Sequence, residues 1–270
     1  GNEGDIWLGE SGASLLDDLR EDVSDTIARM YVPLIAAEEY GISPEDELIR
    51  ERVELKMDGL YEAYDFDYRA YLGAISESHM NDGAYRFTAL CEAVSDELFH
   101  AMIREGEIIT DEDALLELFR SDAFIRAKQI LIPHSNGKTK EENLAHAEEL
   151  LELAQGGADF DKLVQEYSKD LSMFNNPDGY YMMKGTYYEE FEDAAFSLEV
   201  GEVSGIVETP VGYSIIKRCE KEDGYITSHM DELTSAYGDS VYNLKLEEVL
   251  STVTVEATDA LDDYSVFTLE

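Results

Sequence analysis

Val23, Ile27, Met30 and Leu34 recur at the spacing of one helical face, and apolar positions of the same period continue through the first part of the chain. The pattern predicts a succession of helices from about Ser11 to Arg120, with Pro33 kinking or breaking the first. Gly41 to Pro44 reads as a helix end followed by a new start. Gly41 suits a C-cap, Ser43 an N-cap, Pro44 the first helical position and Asp46 the favourable end of the dipole. Thr110, followed by Asp111, Glu112 and Asp113, repeats that start ahead of Leu115, Leu118 and Phe119.

The period changes at Ile125. A β-rich run to Pro133 is followed by a turn at Ser135–Lys138, then by Thr139 and Glu142 in capping-box spacing before Leu144, Ala147, Leu151 and Ala154. Gly156 and Gly157 close that helix, and Phe160, Leu163, Val164 and Tyr167 mark the face of another. A third helix carries Phe191, Ala195 and Leu198, ahead of Gly201. Strands are expected at Tyr180 to Met183, Ile206 to Glu208 and Tyr213 to Arg218. After Gly224 a helical pattern returns through Leu233, Tyr237, Val241, Leu244 and Leu250, followed by the alternating run Thr252–Glu256 and an acidic tail.

This order predicts an α+β chain, in which a small α/β domain is inserted into a mainly helical body. The boundaries fall at 1–123 for an N-terminal helical segment, 124–220 for the α/β domain and 221–270 for a C-terminal helical segment. The last segment is too small to bury much by itself, so it is expected to pack with the first.

Charge sharpens the division. The chain has 20 basic and 61 acidic residues, of which 9 and 17 lie between Ile125 and Cys219, leaving 11 and 44 for the flanks. A surface of that sign repels phosphate backbones and anionic headgroups, which excludes nucleic acid and membrane surfaces as expected partners. Yet 44% of the residues are hydrophobic and 10% aromatic, enough for packed domains and unlike an acidic disordered chain. No run of about 18 apolar residues exists to span a bilayer. The chain opens on Gly1, Asn2 and Glu3 with no initiator methionine, the expectation being a mature or trimmed chain whose signal peptide is gone.

Metal and cofactor chemistry finds little footing. Cys91 and Cys219 have no metal-type spacing and read as two ordinary buried thiols, with a disulfide as the alternative. His79, His100, His146 and His229 are scattered and form no ligand set. Asp65 to Asp67 and Asp111 to Asp113 lack the glycine and terminal glutamate of a calcium loop, so helix capping accounts for them. No cofactor and no metal is expected.

Six segments carry a resemblance. In order they are Ile125–Ile132, Gly157–Phe160, Tyr167–Asp170, Phe191–Leu198, Gly201–Ser204 and Gly212–Lys217, and together they resemble the parvulin family of peptidyl-prolyl cis-trans isomerases. The resemblance implies a proline pocket at Met182, Tyr187 and Phe191, and a polar centre at Gln129, Ser214, Asp170 and Thr209. Asp170 and Thr209 keep the family's residues. Gln129 and Ser214 stand where the family has histidines, which implies weakened isomerase activity. The Pro133–Lys138 turn has no arginine cluster, so a phosphorylated substrate is not expected. His134 beside it reads as a surface imidazole.

An isomerase domain inserted in a helical body is also similar to the layout of extracytoplasmic foldases of the PrsA and SurA type. That implies unfolded or extended polypeptides containing X-Pro as partners, and a secreted or lipid-anchored protein at a bacterial cell surface. The alternative is a non-catalytic peptide-binding holdase or adaptor. Clients and oligomeric state are not legible.

Overall fold

Helix α1 (Glu10–Glu39) runs unbroken past Pro33 in the computed structural model, which describes residues 10–78 and 80–256. Pro33 withdraws one backbone donor, but the flanking turns hold the helix through that gap. The buried face of α1 is also not the predicted one. Ala28, Val32, Ala36 and Ala37 are buried, while Val23, Ile27 and Met30 are exposed. Small side chains let α1 lie close against α4, whose own Ala89 and Ala93 are buried. A pattern of large apolar residues misses an alanine seam.

Gly41 ends α1 as expected, at φ +70°, with the Ile42 amide reaching back to the Ala37 carbonyl. The next start shifts. Helix α2 (Glu47–Glu62) has Asp46 as its N-cap, and Ser43 to Asp46 form a turn in which Asp46 Oδ2 accepts the Ser43 amide at 2.8 Å. Helices α3 (Tyr68–Glu77) and α4 (Asp82–Arg104) follow, capped by the side chains of Asp67 and Asn81. Helix α5 (Glu112–Arg120) is capped by Asp111 and not by Thr110. Asp67 and Asp111 are thus cap residues, which accounts for two of the acidic clusters.

Four strands form one antiparallel sheet in the order β2-β1-β4-β3: β1 (Ile125–Pro133), β2 (Tyr180–Met182), β3 (Val203–Thr209) and β4 (Gly212–Cys219). Strand β3 begins three residues earlier than the pattern indicated, with an irregularity between Val203 and Ile206 that Gly205 disguises in sequence. Alternation divides the sheet. Ile130 and Ile132 of β1, with Tyr213 and Ile215 of β4, pack against α6 (Lys140–Gln155) and α7 (Phe160–Tyr167). Ile125 and Ala127, with Ile216, pack on the opposite face with Met182 and α9 (Glu189–Ser197). Gln129 and Ser214 have the parity of this second face. The Thr139–Glu142 capping box that starts α6 is formed at both bonds. A one-turn helix, α8 (Leu171–Asn175), has no signal in the apolar pattern.

The chain closes with α10 (Asp223–Ser228) and α11 (Met230–Leu250), and Thr252–Glu256 forms no strand despite its alternation. Two compact units result. One takes the residues up to Glu105 with those from Lys245 onward, and the other is Gly106–Leu244. In the first, Glu247 pairs with Arg29 at 2.7 Å and Lys245 with Glu39 at 2.5 Å. In the second, α5 and α10 join the sheet domain: Phe119 packs on Phe124 at 4.7 Å, Arg120 pairs with Asp223 at 3.1 Å, and Tyr181 stacks on Tyr225 at 4.2 Å. No helix among the described residues is long and apolar enough to cross a membrane.

Candidate functional site

Ser214 lies diagonally across from Gln129 on adjacent strands, because Leu131 faces Ser214 and Gln129 faces Ile216 in the β1–β4 register. The diagonal is within reach of two side chains. Ser214 Oγ donates to Gln129 Oε1 at 2.8 Å, and Gln129 Nε2 donates to Asp170 Oδ2 at 2.7 Å. A carboxylate can only accept and a hydroxyl can donate, so the orientation of the Gln129 amide follows from its two partners. Gln129 and Ser214 are 8% and 2% exposed, so these bonds are shielded from water.

Asp170 is placed by backbone. The Lys169 amide bonds the Leu131 carbonyl at 3.0 Å, and Ser168 Oγ accepts the Leu131 amide at 3.1 Å, tying the Ser168–Asp170 corner to β1. Asp170 then caps α8, its Oδ1 accepting the Ser172 and Met173 amides at 3.0 and 3.3 Å. The other oxygen is left for Gln129 and for Tyr180, whose hydroxyl donates to Oδ2 at 2.5 Å. A four-member chain results, Ser214 to Gln129 to Asp170, with Tyr180 donating from the other end. Tyr180 is a member that the family resemblance did not nominate. Its aromatic character within a strand gave no sign of a polar role.

Tyr180 also joins the polar chain to the apolar positions. Its ring lies 5.1 Å from that of Tyr187, which lies 5.4 Å from that of Phe191. Met182 and Phe191 are each 3% exposed and share one cluster with Ala127, Ala195 and Ile216. Burial pushes the Tyr180 phenol well above its ordinary value, and the Asp170 carboxylate adds to the rise. Burial raises Tyr187 too, followed by the charges of Asp170 and Glu192. Partial burial thus favours the neutral form of both phenols, and Tyr180 uses its hydroxyl as a donor to Asp170.

Glu192 is the second residue that sequence reasoning missed. It is buried in α9, and its carboxylate accepts the amides of Gly185, Thr186 and Tyr187 at 2.9, 2.9 and 2.8 Å. The loop that presents Tyr187 is thus fixed by one anion. Gly185 sits at φ +106°, and a Cβ there would lie 2.6 Å from the Ser240 carbonyl oxygen, so a side chain cannot enter. The signal in sequence was a charged residue at an inward position of an amphipathic helix, between Phe191 and Ala195.

Thr209 stands apart. Its hydroxyl donates to the Gly212 carbonyl at 3.0 Å and closes the β3–β4 turn, and among the described residues no hydrogen bond joins it to Gln129, Ser214 or Asp170. A hollow of about 350 Å³ also meets Asp170, lined besides by Lys128, Val164 and Met173. His134 packs edge-on against Tyr213 at 5.1 Å, away from these groups in sequence and contact. Cys91 and Cys219 are free thiols, each only partly buried. Among the described residues no three His, Cys, Asp or Glu side chains are grouped to hold a metal, and His79 lies outside those residues.

Residues 116–222 match the family described as PPIC-type PPIASE domain. The chain is 27% identical over 278 residues to the foldase protein PrsA of Halalkalibacterium halodurans, spanning 94% of this chain and 79% of that one. To the PrsA of Oceanobacillus iheyensis it is 29% identical over 215 residues, spanning 77% of this chain and 65% of that one. Among solved structures it is similar to a peptidylprolyl isomerase, PrsA of Bacillus anthracis, at 20% identity over 86% of this chain and all of the other, with a TM-score of 0.39.

Proposed function

We propose, for a chain that belongs with the PrsA-like parvulin foldases and carries a parvulin-type isomerase domain at residues 116–222, that it accelerates X-Pro rotation in extended polypeptides outside the cytoplasm, weakly for its family. Rotation crosses a barrier of roughly 18–20 kcal/mol without breaking a bond. A catalyst needs only to hold the proline ring against an apolar wall, exclude water from an amide that loses charge separation as it twists, and hydrogen-bond the twisted form. Tyr187, half-buried, supplies the wall in this reading, with Phe191 and Met182, each buried, packed behind it. Gln129, Asp170 and Tyr180 supply oriented dipoles.

The observation that carries the proposal is the chain from Ser214 through Gln129 to Asp170 and Tyr180, joined ring to ring with Tyr187 and Phe191. Amide and hydroxyl replace the family's imidazoles and retain hydrogen bonding, while giving up any contribution from proton transfer, roughly 10² to 10⁴ in rate where a reaction needs it. Rotation does not. The helical segments before and after the domain are assigned the role of a body that shields unfolded chains. Val23, Ile27, Met30 and Tyr31, exposed along α1, support that role, as does the acid-rich composition of the flanks, which keeps such a surface soluble. Secretion or lipid anchoring at the cell surface belongs to the same proposal.

The second reading, a holdase or adaptor without catalysis, is favoured by the absence of both imidazoles. A protease-coupled proline-peptide assay at several protein concentrations, run beside a client-aggregation assay, separates the two. A rate that rises with protein concentration supports the isomerase. A rate equal to buffer, with aggregation still suppressed, leaves the holdase.

A further inference from the structure

Arg120, Arg126, Arg218 and Lys221 line one hollow of about 350 Å³ within the Gly106–Leu244 unit, together with Asp122, Glu220 and Asp223. The chain has only 20 basic residues against 61 acidic ones, so four cations at one opening is a concentration that composition does not lead one to expect. They arrive from α5, from β1, from β4 and from the link between β4 and α10, which means that tertiary folding alone assembles them.

Two of them, Lys221 and Arg218, keep donors that no close carboxylate takes. Lys221 Nζ donates to the carbonyls of Ser121 and of Phe124, the latter at 2.6 Å, and forms no carboxylate pair among the described residues. Arg218 donates one nitrogen to the Leu198 carbonyl at 2.8 Å, and its nearest carboxylate is Asp122 at 3.7 Å. That aspartate side chain is fully exposed, and such pairs contribute little. Arg120 uses only its Nε, toward Asp223. Arg126 has the closest carboxylate, Glu222 at 2.5 Å, beside the Asp178 and Glu220 carbonyls. Burial holds the Lys221 ammonium below its usual range; Asp122 pushes it back up, and the charge of Arg218 pushes it down again. Lys221 and Arg218 are thus partly buried cations whose hydrogen bonds go to main-chain carbonyls, with the exposed Asp122 as the carboxylate that acts on both.

We propose that this hollow binds a small ligand through an oxyanion, a carboxylate or phosphate group, held by Lys221 and Arg218 with Arg120 at the rim. An oxyanion offsets the burial of the Lys221 ammonium and takes the unused guanidinium and ammonium donors in charge-assisted bonds. The chain's overall negative charge opposes approach, but at physiological ionic strength the field fades over about 8 Å, so the groups at the hollow itself decide, where the cations of Arg218 and Arg126 are buried and the carboxylates of Asp122 and Asp223 point into solvent. A bound anion would tie α5 and the α10 link to β1 and β4, the strands that carry Gln129 and Ser214. The inference does not depend on isomerase activity.

Cys219 lines the same hollow and Cys91 lies in the other unit, which supplies a footprint with an internal control. The full chain is alkylated with iodoacetamide in rising inorganic phosphate or, separately, citrate, at ionic strength held constant with chloride, and each cysteine is followed by peptide mass spectrometry. At roughly ten times the Kd, mass action leaves about one site in eleven empty, so Cys219 alkylation slows about tenfold while Cys91 is unchanged. Lys221→Gln and Arg218→Gln abolish the protection and Lys221→Arg retains it. Because Lys221→Gln also gives up two carbonyl bonds, Arg120→Gln, at a half-exposed position, weakens protection in a chain whose fold is undisturbed. Protection by phosphate alone or by citrate alone supports the proposal and assigns the headgroup, and protection by both supports the shared chemistry. Cys219 alkylation that ignores both anions overturns it, as does undiminished protection in folded Arg120→Gln and Arg218→Gln chains.

Discussion

Gln129 donates to Asp170 at 2.7 Å through the same amide that accepts the Ser214 hydroxyl, so one side chain joins two strands to the corner ahead of α8. Replacing it by an apolar residue of similar size strands the Ser214 hydroxyl and takes one of two donors from Asp170 Oδ2, which keeps Tyr180. Gln129→Leu is expected to cost about 1–3 kcal/mol, the usual penalty for a buried polar group left unpaired. Urea unfolding reads the stability and the proline-peptide assay reads the rate, which falls with it; an unchanged rate in the folded variant removes Gln129 from the site.

Restoring imidazoles tests the proposed weakening of activity directly. Gln129→His with Ser214→His places the family's residues at the same diagonal of β1 and β4. The double variant is expected to turn over proline peptides faster than the parent chain. If it folds and gains no rate, those two positions were not the limiting defect.

Alkaline pH should loosen the sheet domain. Burial and the Asp170 carboxylate raise both Tyr180 and Tyr187 above the ordinary phenol value of 10.0. Above that value the unfolded chain releases these protons and the folded chain keeps them. The unfolded state then binds fewer protons, so stability is full below pH of about 10 and declines as pH rises beyond it. Urea midpoints across that range should fall less steeply in a Tyr180→Phe, Tyr187→Phe variant. Matching slopes would show that neither phenol is held neutral by the fold.

Glu192 fixes the Gly185–Tyr187 loop through three amide bonds. Glu192→Gln leaves one acceptor oxygen in place of two and turns an NH2 group toward backbone donors, at a cost of about 1–3 kcal/mol. The proline-peptide KM should rise more than kcat falls, because the loss displaces Tyr187. Equal KM in the folded variant would separate Glu192 from the wall.

Phe191 is 3% exposed and lies between Tyr187 and the Ala127, Ile216 sheet face. Phe191→Ala should destabilise the domain by about 3–5 kcal/mol and lower the isomerase rate. Phe191→Leu, closer in volume, keeps most of the stability, so any remaining loss of rate reports the ring itself.

Local rules read from the chain located β1, the Thr139–Glu142 capping box and the Gly41 stop, because each rests on neighbours within a few residues. They misjudged the buried face of α1, where small alanines pack and larger residues stay in water, and they moved two helix starts by residues that cap equally well in isolation. At the candidate site, motif order nominated Gln129, Ser214 and Asp170, and their hydrogen bonds join them. It passed over Tyr180 and Glu192, since a tyrosine in a strand and a glutamate on an acidic helix look ordinary until their partners are known.

The sequence by itself determined the alternation that sets Gln129 and Ser214 on the same sheet face as Ala127 and Ile216, because side-chain direction along a strand is a local property. Only the tertiary structure decided that Thr209 turns to its own hairpin, that Tyr180 completes the Asp170 chain, and that Arg120, Arg126, Arg218 and Lys221 share a hollow. Those outcomes depend on which distant groups burial forces together, and the free energy of a polar group out of water depends on the partner it meets there.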